Sequence, residues 1–285
     1  MPRQKLDLSI LYEDDDLLVI DKPAGLLVIP DRWDPSKPTV VKLARAYRQD
    51  RAAAPGGGAA EASRIWVVHR LDRDTSGVLI LAKSASAHAG LSRQFEQGRV
   101  RKTYLALVSS QGLRATGVIR LPIGPHPQRP GMMAVRRRHG KSAVTHYLSV
   151  ERFHGYTLLN VRPQTGRSHQ IRVHLQAIGH PLAIDPLYGS GQPLLLSALK
   201  PSYRPKVGEV ERPLMARLTL HAQRLELVHP GHGGPLTWEA PLPKDFAAVL
   251  RNLRRYRSLP GEPSAPPLAS GGKRRACSPE SVLLA

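Results

Sequence analysis

The chain is most distinctive between His69 and Leu81, where it reads HRLDRDTSGVLIL. One carboxylate, Asp72, stands among arginines directly before an apolar run. We expect a strand that ends in Thr75-Ser76-Gly77 and turns sharply, because glycine accepts backbone angles that other residues resist. Arg70 and Asp72 are two residues apart and project to one face of an extended chain. The pattern predicts a carboxylate that is held rigidly beside cations. The alternative is an ordinary surface turn with solvated salt bridges and no function.

Hydrophobic periodicity around this stretch predicts a mixed fold. Segments with β-branched or alternating apolar residues are typical of strands, and segments with helical spacing and a glycine terminator are typical of helices. Strands outnumber helices and do not alternate regularly with them, which favours an α+β fold around a largely antiparallel sheet. We expect strands at 8–12, 17–20, 78–82, 103–108, 143–151, 157–162 and 218–227, and helices at 39–48, 85–97, 168–178 and 244–256.

The excess of basic residues indicates which kind of partner the protein binds. The 285 residues include 42 Lys plus Arg against 22 Asp plus Glu, a formal net charge of +20. Such an excess indicates a polyanionic partner, and RNA, DNA and acidic membrane surfaces stay open on charge alone. No apolar run reaches the roughly 20 residues of a membrane span, and residues 1–8 lack a signal peptide's apolar core. We therefore expect a soluble, cytoplasmic protein with no membrane association.

Composition also divides the chain. Residues 1–257 are expected to form one catalytic domain, since 41% of the chain is apolar and can build a core. A flexible loop is expected at 51–63, a surface excursion with four prolines at 188–213, and a disordered basic tail at 258–285. The single cysteine, Cys277, lies in that tail. Because one cysteine cannot form a disulfide within the chain or supply a set of thiolate ligands, an intramolecular disulfide framework and a cysteine-based zinc site are excluded.

Arg172 and Tyr104 are two further candidates for functional residues. We expect Ser168 to cap a helix on which His169, Arg172 and Gln176 share a face. Arg172 is either a functional cation or an ordinary exposed arginine. Tyr104 lies in a predicted strand, where an aromatic residue is most often part of the core or a cross-strand pair. The scattered histidines form no recognised metal-ligand pattern, and no cofactor motif is present.

These stretches closely resemble the motifs of the RluA-type RNA pseudouridine synthases, in the expected order. The resemblance is to the short type with a single catalytic domain, because the chain starts almost directly at the catalytic motifs. It implies the pseudouridine synthase fold, with an active-site cleft across the sheet. The matching stretches are Ile10 to Val28, His69 to Lys83 with its HRLD, Lys102-Thr103-Tyr104, Gly140 to Ala143, Thr165 to Leu187 with its HQIR, and Arg217 to Pro230.

The resemblance also implies roles for individual residues. Asp72 is the expected nucleophile, Arg172 its ion-pair partner, and Tyr104 the residue that packs on the target base and assists a late proton transfer. Arg70 is expected at the extruded nucleotide. Whether the aspartate adds to the sugar or assists elimination to a glycal stays open. Other candidate RNA-binding residues are His69, Lys22, Lys141, Arg167 and His169, each of which taken singly is an ordinary surface group.

The implied function is isomerisation of specific uridines to pseudouridine in structured RNA, either large-subunit rRNA, tRNA or both. A stacked uracil must leave the helix to reach a carboxylate. We expect a monomer that needs no metal or cofactor. Two rival classes stay open. The first is a catalytically silent RNA-binding protein on the same scaffold, and the second is a glycosidase-like hydrolase with Asp74 or Asp185 as its second carboxylate.

Overall fold

In the part of the chain that the structure describes, the fold consists of a ten-stranded sheet, a small two-stranded sheet and five helices. The structure, a computed structural model, describes residues 8–31, 34–52, 64–110, 112–204 and 208–259. The strands are β1 (Ser9–Glu13), β2 (Leu17–Lys22), β3 (Trp66–Val67), β4 (Ser76–Ala82), β5 (Arg101–Ser109), β6 (Thr116–Arg120), β7 (Ile123–Pro125), β8 (Met133–Val135), β9 (Val144–Phe153), β10 (Tyr156–Pro163), β11 (Leu220–Val228) and β12 (Pro235–Glu239). The helices are α1 (Val40–Ala52), α2 (Ala85–Glu96), α3 (Gln170–Ala177), α4 (Leu196–Leu199) and α5 (Lys244–Tyr256).

The sheet is mixed and mostly antiparallel. Its strand order is β1-β2-β4-β11-β5-β10-β9-β6, with β3 beside β4 and β12 beside β11, and β7 and β8 form a separate hairpin. Among the described strands, β4 and β11 are the parallel pair, and their register places Gly77 opposite Ala222. The predicted α+β fold around a largely antiparallel sheet is confirmed.

Both faces of the sheet are covered, which explains the unbroken apolar runs of β2 and β4. Alternate residues of a strand point to opposite faces. Leu17 and Ile80 pack on α2, whereas Leu18 and Leu79 pack on α1. At the other half of the sheet, α3 covers one face and α5 the other. A strand buried on both sides reads as continuous hydrophobic sequence rather than as an alternation.

Gly77 fixes the junction between β4 and β11. Its φ is +115°, and a Cβ placed there would lie 2.1 Å from the carbonyl oxygen of Ala222. Only glycine therefore allows this close approach of two backbones. The expectation of a strand ending at Thr75-Ser76-Gly77 is wrong, because β4 begins at Ser76. The turn lies before the strand, so residues 69–75 form a loop that enters the middle of the sheet.

Two predicted boundaries change. The helix predicted at 39–48 continues to Ala52 as α1, so the first two residues of the expected 51–63 loop are helical. Residues 53–63 and 260–285 lie outside the described part of the chain. The expected surface excursion at 188–213 is wrong in its first half, because Leu194 and Leu199 are buried in the cluster beneath α5. This part of the segment therefore belongs to the core.

Candidate active site

A cleft of about 500 Å³ opens between the loop before β4, strand β5 and the start of α3. Asp72 lines it from the loop, Tyr104 from β5 and Arg172 from α3. These three residues are far apart in the chain. The sheet brings them together, because the loop leads into β4 and β5 lies two strands away across β11.

Asp72 and Arg172 form an ion pair at the floor of the cleft. Nη1 of Arg172 donates to Oδ2 of Asp72 at 2.9 Å, across 100 residues of sequence. The Asp72 side chain is 28% exposed, while that of Arg172 is 5% exposed. The second carboxylate oxygen, Oδ1, lies 4.0 Å from Nε2 of His169. Asp72 is thus held at one oxygen and accessible from the cleft.

A second carboxylate, Asp185, fixes Arg172 from behind. Nε and Nη2 of Arg172 donate to the two oxygens of Asp185, each at 2.8 Å. Asp185 is fully buried and also accepts the backbone N–H groups of Leu187 and Tyr188. Burial alone would lower the pKa of Arg172, but Asp185 and then Asp72 outweigh that effect and raise this pKa above its ordinary value. Arg172 is therefore a permanent cation with a fixed orientation.

Tyr104 presents a neutral phenol to the cleft. It lies on β5 beside Ala222 of β11 and packs against two apolar clusters, one beneath α3 and the other beneath α1. Burial, and then the negative charge of Asp72, raise the pKa of Tyr104 above its ordinary value of 10.0. The hydroxyl therefore keeps its proton at neutral pH, and the ring offers a flat apolar surface.

The start of α3 differs from the sequence prediction. Ser168 does not cap the helix, which begins at Gln170 after His169 in the left-handed conformation, φ +53°. The Oε1 atom of Gln170 accepts the N–H of Arg167 and the hydroxyl of Thr165, and so organises this turn. The Ser168 prediction is wrong because His169 is the residue that precedes the helix, and no side-chain hydrogen bond caps its start.

The candidate RNA-binding cations occupy different environments. Arg70 and Arg167 are exposed and line the cleft. Lys141 is exposed outside it, in a bridge to Ile123 at the start of β7. Lys22 is fully buried, and its amine donates to the carbonyl oxygens of Pro23, Leu26 and Arg73. The prediction that Lys22 contacts RNA is therefore corrected, because all three of its N–H donors hold the loop before β4.

His69 lines the cleft as a neutral ring. Its Nε2 accepts the N–H of Ile80 at 3.1 Å, and its ring stacks on Phe95 with centroids 4.8 Å apart. Burial lowers the pKa of His69 to about 3, with a smaller contribution from the charge of Lys102. His69 therefore cannot act as a cation toward phosphate at neutral pH, and it anchors the loop to β4.

Three residues of the site were missed from sequence, two behind Arg172 and one in the cleft lining. Asp185 was considered only as a rival catalytic carboxylate, and Tyr188 only as the start of an excursion. Lys102 lines the cleft, and its amine lies 3.4 Å from the carbonyl oxygen of Thr165. The segment Pro181 to Leu187 contained the signal for Asp185, since a lone acid in an otherwise apolar segment needs a buried cation.

Comparisons with known proteins agree with this geometry. The family of RNA pseudouridylate synthases matches residues 16–177. The chain belongs to this family and is an RNA pseudouridine synthase, an isomerase. It is 43% identical over 253 residues to a ribosomal large subunit pseudouridine synthase D of Nitrosomonas europaea, covering 88% of this chain and 67% of the relative. It is 41% identical over 251 residues to the protein of that name in Xanthomonas campestris, covering 88% and 71%.

Solved structures support the same fold. Human RNA pseudouridylate synthase domain containing 4 superposes with a TM-score of 0.65 at 26% identity, covering 89% of this chain and 95% of that one. Human RNA pseudouridylate synthase domain containing 1 gives a TM-score of 0.60, also at 26% identity, covering 89% and 97%. The predicted family, fold and enzyme class are confirmed.

The rival classes fit the cleft less well. Both oxygens of Asp185 bind Arg172, and the side chain is fully buried, so it offers no second catalytic carboxylate. Asp74 pairs with the exposed Arg73 and does not line the cleft. No helix in the described part of the chain is both long and apolar enough to cross a membrane.

Proposed function

We propose that the protein converts uridine to pseudouridine in large-subunit rRNA, with Asp72 as the nucleophile. The observation that carries this proposal is the asymmetric ion pair, in which Oδ2 of Asp72 binds Arg172 and Oδ1 has no hydrogen bond as close. A carboxylate so held keeps lone pairs for attack while its orientation is fixed. The names of the bacterial relatives support rRNA of the large subunit as the substrate.

The reaction begins with extrusion of the target nucleotide, because a stacked uracil cannot reach the floor of the cleft. Arg70 stands at the rim, and its planar cation can occupy the space that the base leaves. Arg167 and Lys102 line the same cleft and can bind backbone phosphate. His169, which lines the cleft, and Lys141, which lies outside it, complete the set that we propose for RNA binding, whereas His69 holds the loop before β4.

Asp72 then assists cleavage of the glycosidic bond, the uracil turns, and its C5 atom joins C1′ of the ribose. The C5 proton must leave and N1 must gain one, so the isomerisation consumes no proton overall. Tyr104 is a neutral phenol and can take a proton only while it releases its own, which makes it a relay rather than a free base. Arg172 holds Oδ2 of Asp72 in a fixed position.

The site is built from one chain, and we propose that a monomer acts on RNA in the cytoplasm, where ribosomes are assembled. We also propose that residues 1–257 form a single catalytic domain. The proposed isomerisation requires no metal ion or organic cofactor, because the carboxylate of Asp72, the phenol of Tyr104 and the guanidinium of Arg172 carry the chemistry.

The test is pseudouridine mapping of rRNA and tRNA from cells that lack the protein. Complementation uses the wild type, Asp72→Ala and, as a matched control, Asp74→Asn, which changes the neighbouring carboxylate outside the cleft. We expect one or a few large-subunit sites to be lost, and to be restored by the wild type and Asp74→Asn only. Loss confined to tRNA would replace the proposed substrate, and restoration by Asp72→Ala would refute the proposed nucleophile.

A further inference from the structure

Tyr188 contacts His169 and Arg172, the two side chains that face the oxygens of Asp72. Its hydroxyl oxygen lies 2.8 Å from Nδ1 of His169. Its ring lies under the guanidinium of Arg172, with the guanidinium carbon 4.9 Å from the ring centroid. The same hydroxyl accepts the backbone N–H of Met133 in β8 at 2.8 Å. One buried side chain therefore joins the β7–β8 hairpin to the two groups that flank the carboxylate.

The hydrogen bonds of Tyr188 favour one tautomer of His169. The Tyr188 oxygen accepts the backbone N–H of Met133, which leaves its own hydroxyl proton free to donate to Nδ1 of His169. Burial raises the pKa of Tyr188 and lowers that of His169, so both are neutral near pH 7. A neutral imidazole that accepts at Nδ1 carries its proton on Nε2. That atom is the one facing Oδ1 of Asp72, at 4.0 Å.

The backbone of His169 supports the same arrangement. Its φ of +53° is a left-handed conformation that residues with a Cβ rarely adopt. This conformation places the imidazole at the rim of the cleft directly before α3, and the Tyr188 ring holds it edge-on with centroids 5.6 Å apart. Strained residues of this kind persist where surrounding contacts fix them.

We propose that Tyr188 is a positioning residue for the isomerisation. Its hydroxyl fixes the tautomer of His169 whose Nε2–H binds Oδ1 of Asp72 once uridine fills the cleft, and its ring holds Arg172 against Oδ2. The 4.0 Å separation is too long for a hydrogen bond in the free protein, and catalytic hydrogen bonds commonly shorten when substrate binds. The inference rests on the proposed role of Asp72. The charged groups around His169 are Asp72, Arg172, Asp185 and Arg70.

The first experiment removes only the hydroxyl. Tyr188→Phe keeps the ring beneath Arg172, and we expect its single-turnover rate on the rRNA substrate to fall about tenfold, the scale of one hydrogen bond at a catalytic group. The dissociation constant for RNA should stay unchanged. Nitrogen NMR of histidine-labelled protein should show His169 as the Nε2–H tautomer in the wild type and a mixture in the variant. Tyr156→Phe is the matched control, a partly buried tyrosine packed beneath α5, and should react at the wild-type rate.

A second variant separates positioning from folding. His169→Asn suits the left-handed backbone, which asparagine tolerates, but lacks the Nε2–H donor. If Tyr188 acts through His169, adding Tyr188→Phe to His169→Asn causes no further loss of rate. Losses that multiply, or a wild-type tautomer and rate in Tyr188→Phe, overturn the inference. Asp72→Ala is assayed in parallel, since activity in that variant refutes the proposed function instead.

Discussion

The two carboxylates that share Arg172 should differ in how much stability the same substitution removes. Asp185 is fully buried and accepts four hydrogen bonds, two from the guanidinium and two from backbone N–H groups. Asp185→Asn keeps one acceptor oxygen and turns an amide N–H₂ toward these donors. Breaking a buried ion pair from one side costs about 3–5 kcal/mol, because the remaining charge stays buried without its partner. We expect the free energy of unfolding to fall by about 4 kcal/mol.

Asp72→Asn is the matched control, since it changes the same atoms opposite the same arginine. Asp72 is 28% exposed and receives a single hydrogen bond from Arg172, which keeps Asp185 as its counter-charge. Because Asp72 is partly exposed and Asp185 still balances the charge of Arg172, we expect the loss of this pair to cost about 1 kcal/mol. We therefore expect Asp72→Asn to leave stability nearly unchanged and to abolish pseudouridine formation, whereas Asp185→Asn loses both.

Urea unfolding followed by tryptophan fluorescence measures the difference. The denaturant slope should be the same for all three proteins, so that midpoints report stability. For a chain of this size, a loss of about 4 kcal/mol should lower the melting temperature by roughly 8–16 °C. The reasoning is refuted if Asp185→Asn is as stable as the wild type, or if Asp72→Asn is destabilised to the same extent.

Three further substitutions test the residues that hold the loop before β4 and the junction of β4 with β11. Gly77→Ala would place a Cβ 2.1 Å from the Ala222 carbonyl oxygen and should prevent folding, seen as insoluble protein; a soluble protein with native circular dichroism would contradict this. Lys22→Met leaves three carbonyl groups without their donor and should cost about 2–4 kcal/mol in urea unfolding; reduced RNA affinity at unchanged stability would restore the RNA-binding interpretation. Burial lowers the pKa of His69 from 6.5 to about 3, so the unfolded chain binds a proton that the folded one does not, and stability contributed by this group is lost as pH falls below 6.5. His69→Gln keeps an acceptor for Ile80, and its unfolding midpoint should fall less between pH 7.5 and pH 4.5 than that of the wild type; equal pH dependence would exclude this role.

Much of the fold could be predicted because periodicity reports burial directly. Helix α5 matches the predicted 244–256, since Phe246, Val249 and Leu253 recur at helical spacing and all pack on the sheet. The start of α3 could not be predicted in the same way. Capping rules see only neighbouring residues, whereas Gln170 bonds to Val144 and Thr145 on β9.

The candidate site was predictable only in part. The resemblance suggested that Asp72 and Arg172 pair, and the structure places them in contact. No periodicity could indicate that Asp185 holds the same arginine, because the partners lie on a helix and on the loop after it. Lysine side chains are normally exposed, so no pattern in the sequence predicted that Lys22 is buried. Its role depends on three carbonyl groups that only the folded loop brings together.

The sharing of one arginine between two carboxylates explains how Asp72 can be both fixed and reactive. Arg172 directs Nε and Nη2 to Asp185 and has only Nη1 left for Asp72. If the fork faced Asp72, the cation would hold both nucleophile oxygens, and Oδ1 would lose more lone-pair density than a hydrogen bond from the neutral His169 removes. Two carboxylates and one guanidinium also leave one negative charge at the floor of the cleft, while the cations Arg70, Lys102 and Arg167 line it. Phosphate is attracted to those cations, and the neutral uracil is the part of the nucleotide that can approach the carboxylate without electrostatic repulsion.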